Sequence, residues 1–223
     1  MYTTYLKLHE AIIKRNHERL PGDRAEVKFF SFAADDQLSL PSIDLLLGQR
    51  NVADIRDHLR PAIAEMVNSP MTWESGVIKG VRRGHHFQMG DTGKVVFKHQ
   101  SDKPPNEIDW VMTAVELDQD VRSLGEHVDD MLDDQTVDAM SSAVMKIAGV
   151  AGGPKATAAV SLAELFVGVV TNFMKKNKND QVGYVDQSFV RALDFADGYR
   201  KVEMNPDYSG NMWYTYSIAT IES

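Results

Sequence analysis

A chain of 223 residues, 43% of them apolar, is long enough to bury a core as one large domain or two small ones, and the complete absence of cysteine excludes disulfides, thiolate metal sites and cysteine nucleophiles. The formal net charge of −8 resides in one stretch, where nine acids (Glu116, Asp118, Asp120, Glu126, Asp129, Asp130, Asp133, Asp134, Asp138) face a single base, Arg122. The remainder is neutral and offers no basic surface for phosphate backbones, so nucleic acid is not an expected partner.

The first twenty residues carry charge throughout and lack the apolar core of a signal peptide. The expected location is cytoplasmic, with release by another route left open. Tyr5, Leu8 and Ile12, flanked by Leu6 and Ile13, predict a short helix ending before Pro21-Gly22. Ala25 to Ala33 is aromatic, apolar and bounded by turn formers, which predicts a strand. After Pro41 the spacing turns helical, with Val52, Ile55, Leu59, Ile63, Met66 and Val67 on one face and Pro61 expected to kink or divide it.

From Trp73 onward, β-prone runs at Gly76 to Val81, His86 to Met89, Lys94 to His99 and Ile108 to Leu117 alternate with Gly, Asp and Pro clusters, as in antiparallel hairpins. Gly90-Asp91-Thr92-Gly93 is the clearest turn. Ile108, Trp110, Met112 and Ala114 on one pleat face against Val111, Val115 and Leu117 on the other predict an interior strand covered on both sides. The acidic stretch keeps helical spacing at Val121, Leu124, Val128, Met131 and Leu132, giving an amphipathic helix with an acidic outer face.

Val137 to Met174 reads as an apolar helical hairpin about Gly152-Gly153-Pro154. Its first segment is amphipathic through Val137, Met140, Val144, Ile147 and Ala148; its second, from Ala156 to Met174, is apolar all round except for Glu164 and must be covered on every side. At 1.5 Å per residue that run reaches roughly 28 Å, so its length admits a membrane span while its small and polar residues favour burial in protein. Gln181 to Leu193 predicts a strand, irregular near Asp186. A loop at 205–210 precedes Met212, Tyr214, Tyr216 and Ile218 alternating with Trp213, Thr215, Ser217 and Ala219, the best strand pattern in the chain.

Three constellations could carry chemistry. His85-His86 with Asp91 could bind a metal, although neighbours on a strand point to opposite faces. The pairs Asp118/Asp120, Asp194/Asp197 and Asp35/Asp36 could supply oxygen ligands to calcium, although such pairs also cap turns and helix starts. Trp213, Tyr214 and Tyr216 could form a stacking platform or belong to the core. No Gly-x-Ser-x-Gly, phosphate-binding or dinucleotide-binding glycine motif occurs.

The expected fold is α+β, a single domain over 1–223: an antiparallel β-sandwich, C2-like or jelly-roll-like, with an acidic helix and the apolar hairpin inserted at about 119–176. The expected function is non-catalytic, a binding or structural protein with a protein partner or copies of itself and no required cofactor. The alternatives are a membrane-active protein inserting residues 137–174 and a hydrolase without a recognisable motif.

Overall fold

The computed structural model describes residues 1–15, 25–37, 41–49, 51–117, 132, 134–150 and 180–222. In chain order the elements are β1 (Tyr2–Ile13), β2 (Ala25–Asp35), α1 (Pro41–Gly48), α2 (Val52–Val67), β3 (Thr72–Glu74), β4 (Ile78–Val81), β5 (His86–Gln88), β6 (Lys94–Ser101), β7 (Glu107–Glu116), α3 (Asp134–Val150), β8 (Asp180–Val190), α4 (Arg191–Asp194), β9 (Tyr199–Pro206) and β10 (Met212–Glu222).

The strands form two antiparallel sheets. Sheet I runs β5-β1-β10-β9, with β6 extending the β5 edge along the other half of β1. Sheet II runs β3-β2-β7-β8, with β4 beside β3 on the same edge of β2. Their inner faces share one core, in which Leu6, Leu8, Tyr214, Tyr216 and Ile218 from sheet I meet Val27, Phe29, Trp110, Met112 and Val185 from sheet II. The other face of sheet II, through Phe30, Phe32, Val111 and Val115, packs under Leu46 of α1, Ile55, Leu59, Ile63 and Met66 of α2, and Val137, Met140 and Val144 of α3. The result is a β-sandwich-like α+β fold with a helical layer on one side, and β7 is the doubly covered strand its two apolar faces predict. Among the described residues, no helix is long and apolar enough to cross a membrane.

The insertion predicted between two β regions leaves from the end of β7 and returns at the start of β8, where Glu116 and Asp180 are register partners. Of it, Leu132 and α3 are described; the rest of the acidic helix and residues 151–179, including the apolar run 156–174, lie outside the described residues. The described end of the acidic stretch is tied to α2. Arg56 reaches Asp134 at 2.7 Å and Asp138 at 3.0 Å, and Arg60 donates to the Leu132 carbonyl at 2.5 Å.

Four local expectations are corrected. The N-terminal segment is the central strand β1, not a helix. A bulge at His9 shifts its alternation, so the buried set becomes Leu6, Leu8, Ala11 and Ile13, while Tyr5 and Ile12 of the expected helical face are only partly buried. Helix α2 is not divided at Pro61, which lies on its exposed side. The irregularity in β8 falls at Val182, not at Asp186. That strand ends at Val190, because the Asp194 carboxylate accepts the Val190 N–H at 2.9 Å and closes one helical turn, leaving Leu193 exposed.

Candidate functional site

Sheet II is covered on both faces, whereas the outer face of sheet I carries a network of polar side chains. The network is built by backbone irregularities. Without the bulge in β1, His9 and Glu10 would alternate across the sheet; with it, His9 Nε2 meets the Ser217 hydroxyl at 2.8 Å while Glu10 reaches Thr215 at 2.7 Å. A second register shift separates the β9 partners of Tyr214 and Tyr216, and there Met204 takes a positive φ of 54°, rare for a side-chain-bearing residue. Its N–H donates to the Thr215 hydroxyl at 3.2 Å. The third approach comes from the predicted turn at 90–93. Gly93, at φ +77°, lies so close to the His9 ring that a β-carbon there would be 2.6 Å from Nδ1.

Two groups result. In the first, Glu10 binds Thr215 through one oxygen and His86 Nε2 through the other, at 2.5 Å. The Thr215 and His86 hydrogen bonds favour the charged carboxylate and hold Glu10 below its ordinary range. In the second, register places Lys7, Ser217 and Lys201 in one row across β1, β10 and β9. Ser217 is 4% exposed although it belongs to the outer face. Burial, then the positive charges of Lys201 and Lys7, push His9 below its usual value, with Glu10 opposing; the imidazole is neutral at physiological pH. Lys201 also pairs with Glu203 at 2.7 Å, which raises its own pKa.

A third pair joins the two sheets at one end of the sandwich. Asp35 on β2 is buried, and both its oxygens lie 2.7–2.8 Å from His99 Nδ1 on β6, while Oδ1 also accepts the Gln37 N–H at 3.1 Å.

The residues singled out from the sequence are distributed otherwise. His86 turns outward to Glu10, His85 lies against Phe87 on the opposite pleat face at a ring separation of 4.5 Å, and Asp91 is exposed in the turn, so the three do not converge. Asp35 is held by His99, Asp36 accepts from the backbone and side chain of Asn106 at 2.9 and 3.0 Å, and Asp194 binds Arg200 and the Val190 N–H. Asp118 and Asp120 lie outside the described residues. Among the described residues, no three His, Asp or Glu are grouped to hold a metal ion. The aromatic platform does not form: Tyr214 and Tyr216 are core residues against Trp110, each at 5.5 Å, while Trp213 faces the other way with the Lys14 ammonium 3.7 Å from its ring centre. Sequence reasoning missed His9, Glu10 and Lys201; Thr215 and Ser217 were visible only as the polar half of an alternating strand.

The Ser217–His9 pair has a hydroxyl and a neutral base in hydrogen-bond contact, two of the parts that nucleophilic catalysis requires. Ser217 lies in the interior strand β10, paired with β1 on one side and β9 on the other, so its backbone is committed to the sheet and is not displayed on a strained turn. The chain matches none of the known protein-family models and none of the curated proteins with which it was compared.

Proposed function

We propose that the protein is a non-catalytic binding or structural protein that works with another protein or with copies of itself and needs no cofactor. The observation that carries this reading is the state of the Ser217–His9 pair: a hydroxyl and a base in mid-strand, with Ser217 only 4% exposed and its strand paired on both sides. Its neighbours tell the same way, since the Glu10–His86 and Asp35–His99 pairs are bonded to each other. A C2-like or jelly-roll-like sandwich with the acidic helix and apolar hairpin as an insertion at about 119–176, in a cytoplasmic single-domain protein, belongs to the same proposal. So does the acidic outer face as a charged contact surface, although at its described end Asp134 and Asp138 are already paired with Arg56.

A hydrolase is the second reading, favoured by the neutral His9 at 2.8 Å from the Ser217 hydroxyl. A membrane-active role for residues 137–174 draws only on the composition of the apolar run. Size-exclusion chromatography with light scattering, at low and high salt, tests the binding reading. Self-association, or a stoichiometric partner recovered from the native cell, supports it. A monomer at both salts that recovers no partner overturns it.

A further inference from the structure

The row Lys7–Ser217–Lys201 deserves a chemistry of its own. Ser217 and the two lysines are direct cross-strand neighbours on the one face, so their side chains rise side by side from the sheet. Beneath them the Ser217 hydroxyl is fixed by His9, and His9 is fixed in turn by the bulge in β1 and by Gly93 packed against its ring. Lys201 leans on Glu203, whereas Lys7 makes no ion pair among the described residues. The nearest other carboxylate, Glu10, has each oxygen engaged, one by Thr215 and one by His86. With His9 in the tautomer that carries its proton on Nε2, the ring donates to the Ser217 oxygen, and the O–H of Ser217, a residue only 4% exposed, is left for a group that reaches it between the two lysines.

We infer that Lys7, Ser217 and Lys201, with His9 behind them, form a binding site for an oxyanion group of the phosphate or sulfate class. Two ammonium groups flanking one hydroxyl donor supply charge-assisted hydrogen bonds to three oxygens of a tetrahedral anion. Glu203 and the ionised Glu10 balance the charges of Lys7 and Lys201, so the row recognises an anion through its placed donors and not through an excess of positive charge. Glu203 competes with the anion for Lys201 and keeps the affinity low. The site rests on the non-catalytic reading in that the ligand is held and not turned over.

Chemical-shift titration of the isotope-labelled full chain with inorganic phosphate and with inorganic sulfate, at about pH 7.5 and constant ionic strength, tests the site. Saturable shifts centred on residues 7, 9, 201 and 217 are expected. Lys201→Gln should weaken binding by about fivefold, and Glu203→Gln, a change at an exposed position, should tighten it by a few-fold. Non-saturable shifts spread equally over Lys94, Lys98 and Lys103 would overturn the site, as would a Glu203→Gln variant that binds no better than wild type. Vesicles of phosphatidic acid, compared with phosphatidylcholine, separate the sources. Binding lost in Lys201→Gln assigns a lipid headgroup, and phosphate binding without vesicle binding assigns a free phosphoryl ligand. p-Nitrophenyl phosphate in the same samples distinguishes the two failures: binding with turnover keeps the site and refutes the non-catalytic reading, and absent binding refutes the site alone.

Discussion

Trp110 is the largest side chain in the sandwich core, and the pairing of Trp110 with Ser31 offers a quantitative test of how the sheets are built. The indole is fully buried, its ring lies 5.5 Å from both Tyr214 and Tyr216, and its Nε1–H donates to the Ser31 hydroxyl of the neighbouring strand at 2.9 Å. Ser31→Ala removes almost no volume but strands a buried N–H, at a cost of about 1–3 kcal/mol. Trp110→Phe leaves a cavity and an unpaired serine hydroxyl; its cost is about 2–4 kcal/mol, below that of truncation to alanine because one ring remains. In the double variant neither group is stranded, so the combined loss should fall short of the sum by about 1–2 kcal/mol. Urea titrations of the four proteins, followed by far-ultraviolet circular dichroism with unchanged slopes, measure this coupling. Losses additive to within about 0.5 kcal/mol would show that the two groups are not partners and that the β2–β7 register is wrong.

Gly93→Ala should cost more than Gly90→Ala, by about 1 kcal/mol or more: both positions have φ near +76°, but only Gly93 has the His9 ring against it. Equal losses in thermal melts would remove His9 from that contact. Asp109 is pushed above its ordinary range mainly by burial, with Glu107 and Asp186 adding to it and the Ser188 hydrogen bond opposing, so its ionisation penalises the folded state. Asp109→Asn should therefore raise the melting temperature at pH 7, and the gain should vanish on acidification, where the wild-type carboxyl is neutral in both states. His9 has the opposite linkage. Its depressed folded pKa contributes stability that is complete above the unfolded value of 6.5 and is lost as pH falls through the folded one; Glu10, also depressed, adds a loss at more acid pH. His9→Gln should flatten the slope of melting temperature against pH below about 6.5, and an unchanged slope would refute the burial of a neutral imidazole.

Much of the fold was legible because burial writes itself into alternation. β7 shows apolar residues on both pleat faces and is covered on both; β10 shows one apolar face and one polar face, and the apolar one, through Tyr214, Tyr216 and Ile218, is the face that enters the core. β1 was misread because partly buried Tyr5 and Ile12 stand at helical spacing with Leu8, while the bulge at His9 interrupts the period of two. β9 gave no signal: it is an edge strand with polar residues on both sides, and only Val202 leans on the core. The candidate site was hidden for another reason. His9 and Ser217 are 208 residues apart, Thr215 and Glu10 are 205 apart, and no spacing rule in one sequence joins them before the β1–β10 register is known.

The most direct test of the central claim, that the Ser217–His9 pair holds but does not turn over a ligand, is hydrolysis of chromogenic esters and phosphate monoesters by wild type, Ser217→Ala and His9→Ala. The three proteins should be indistinguishable from buffer. Turnover by wild type that disappears in both variants, each still folded by circular dichroism, would contradict the account and make the outer face of sheet I an active site.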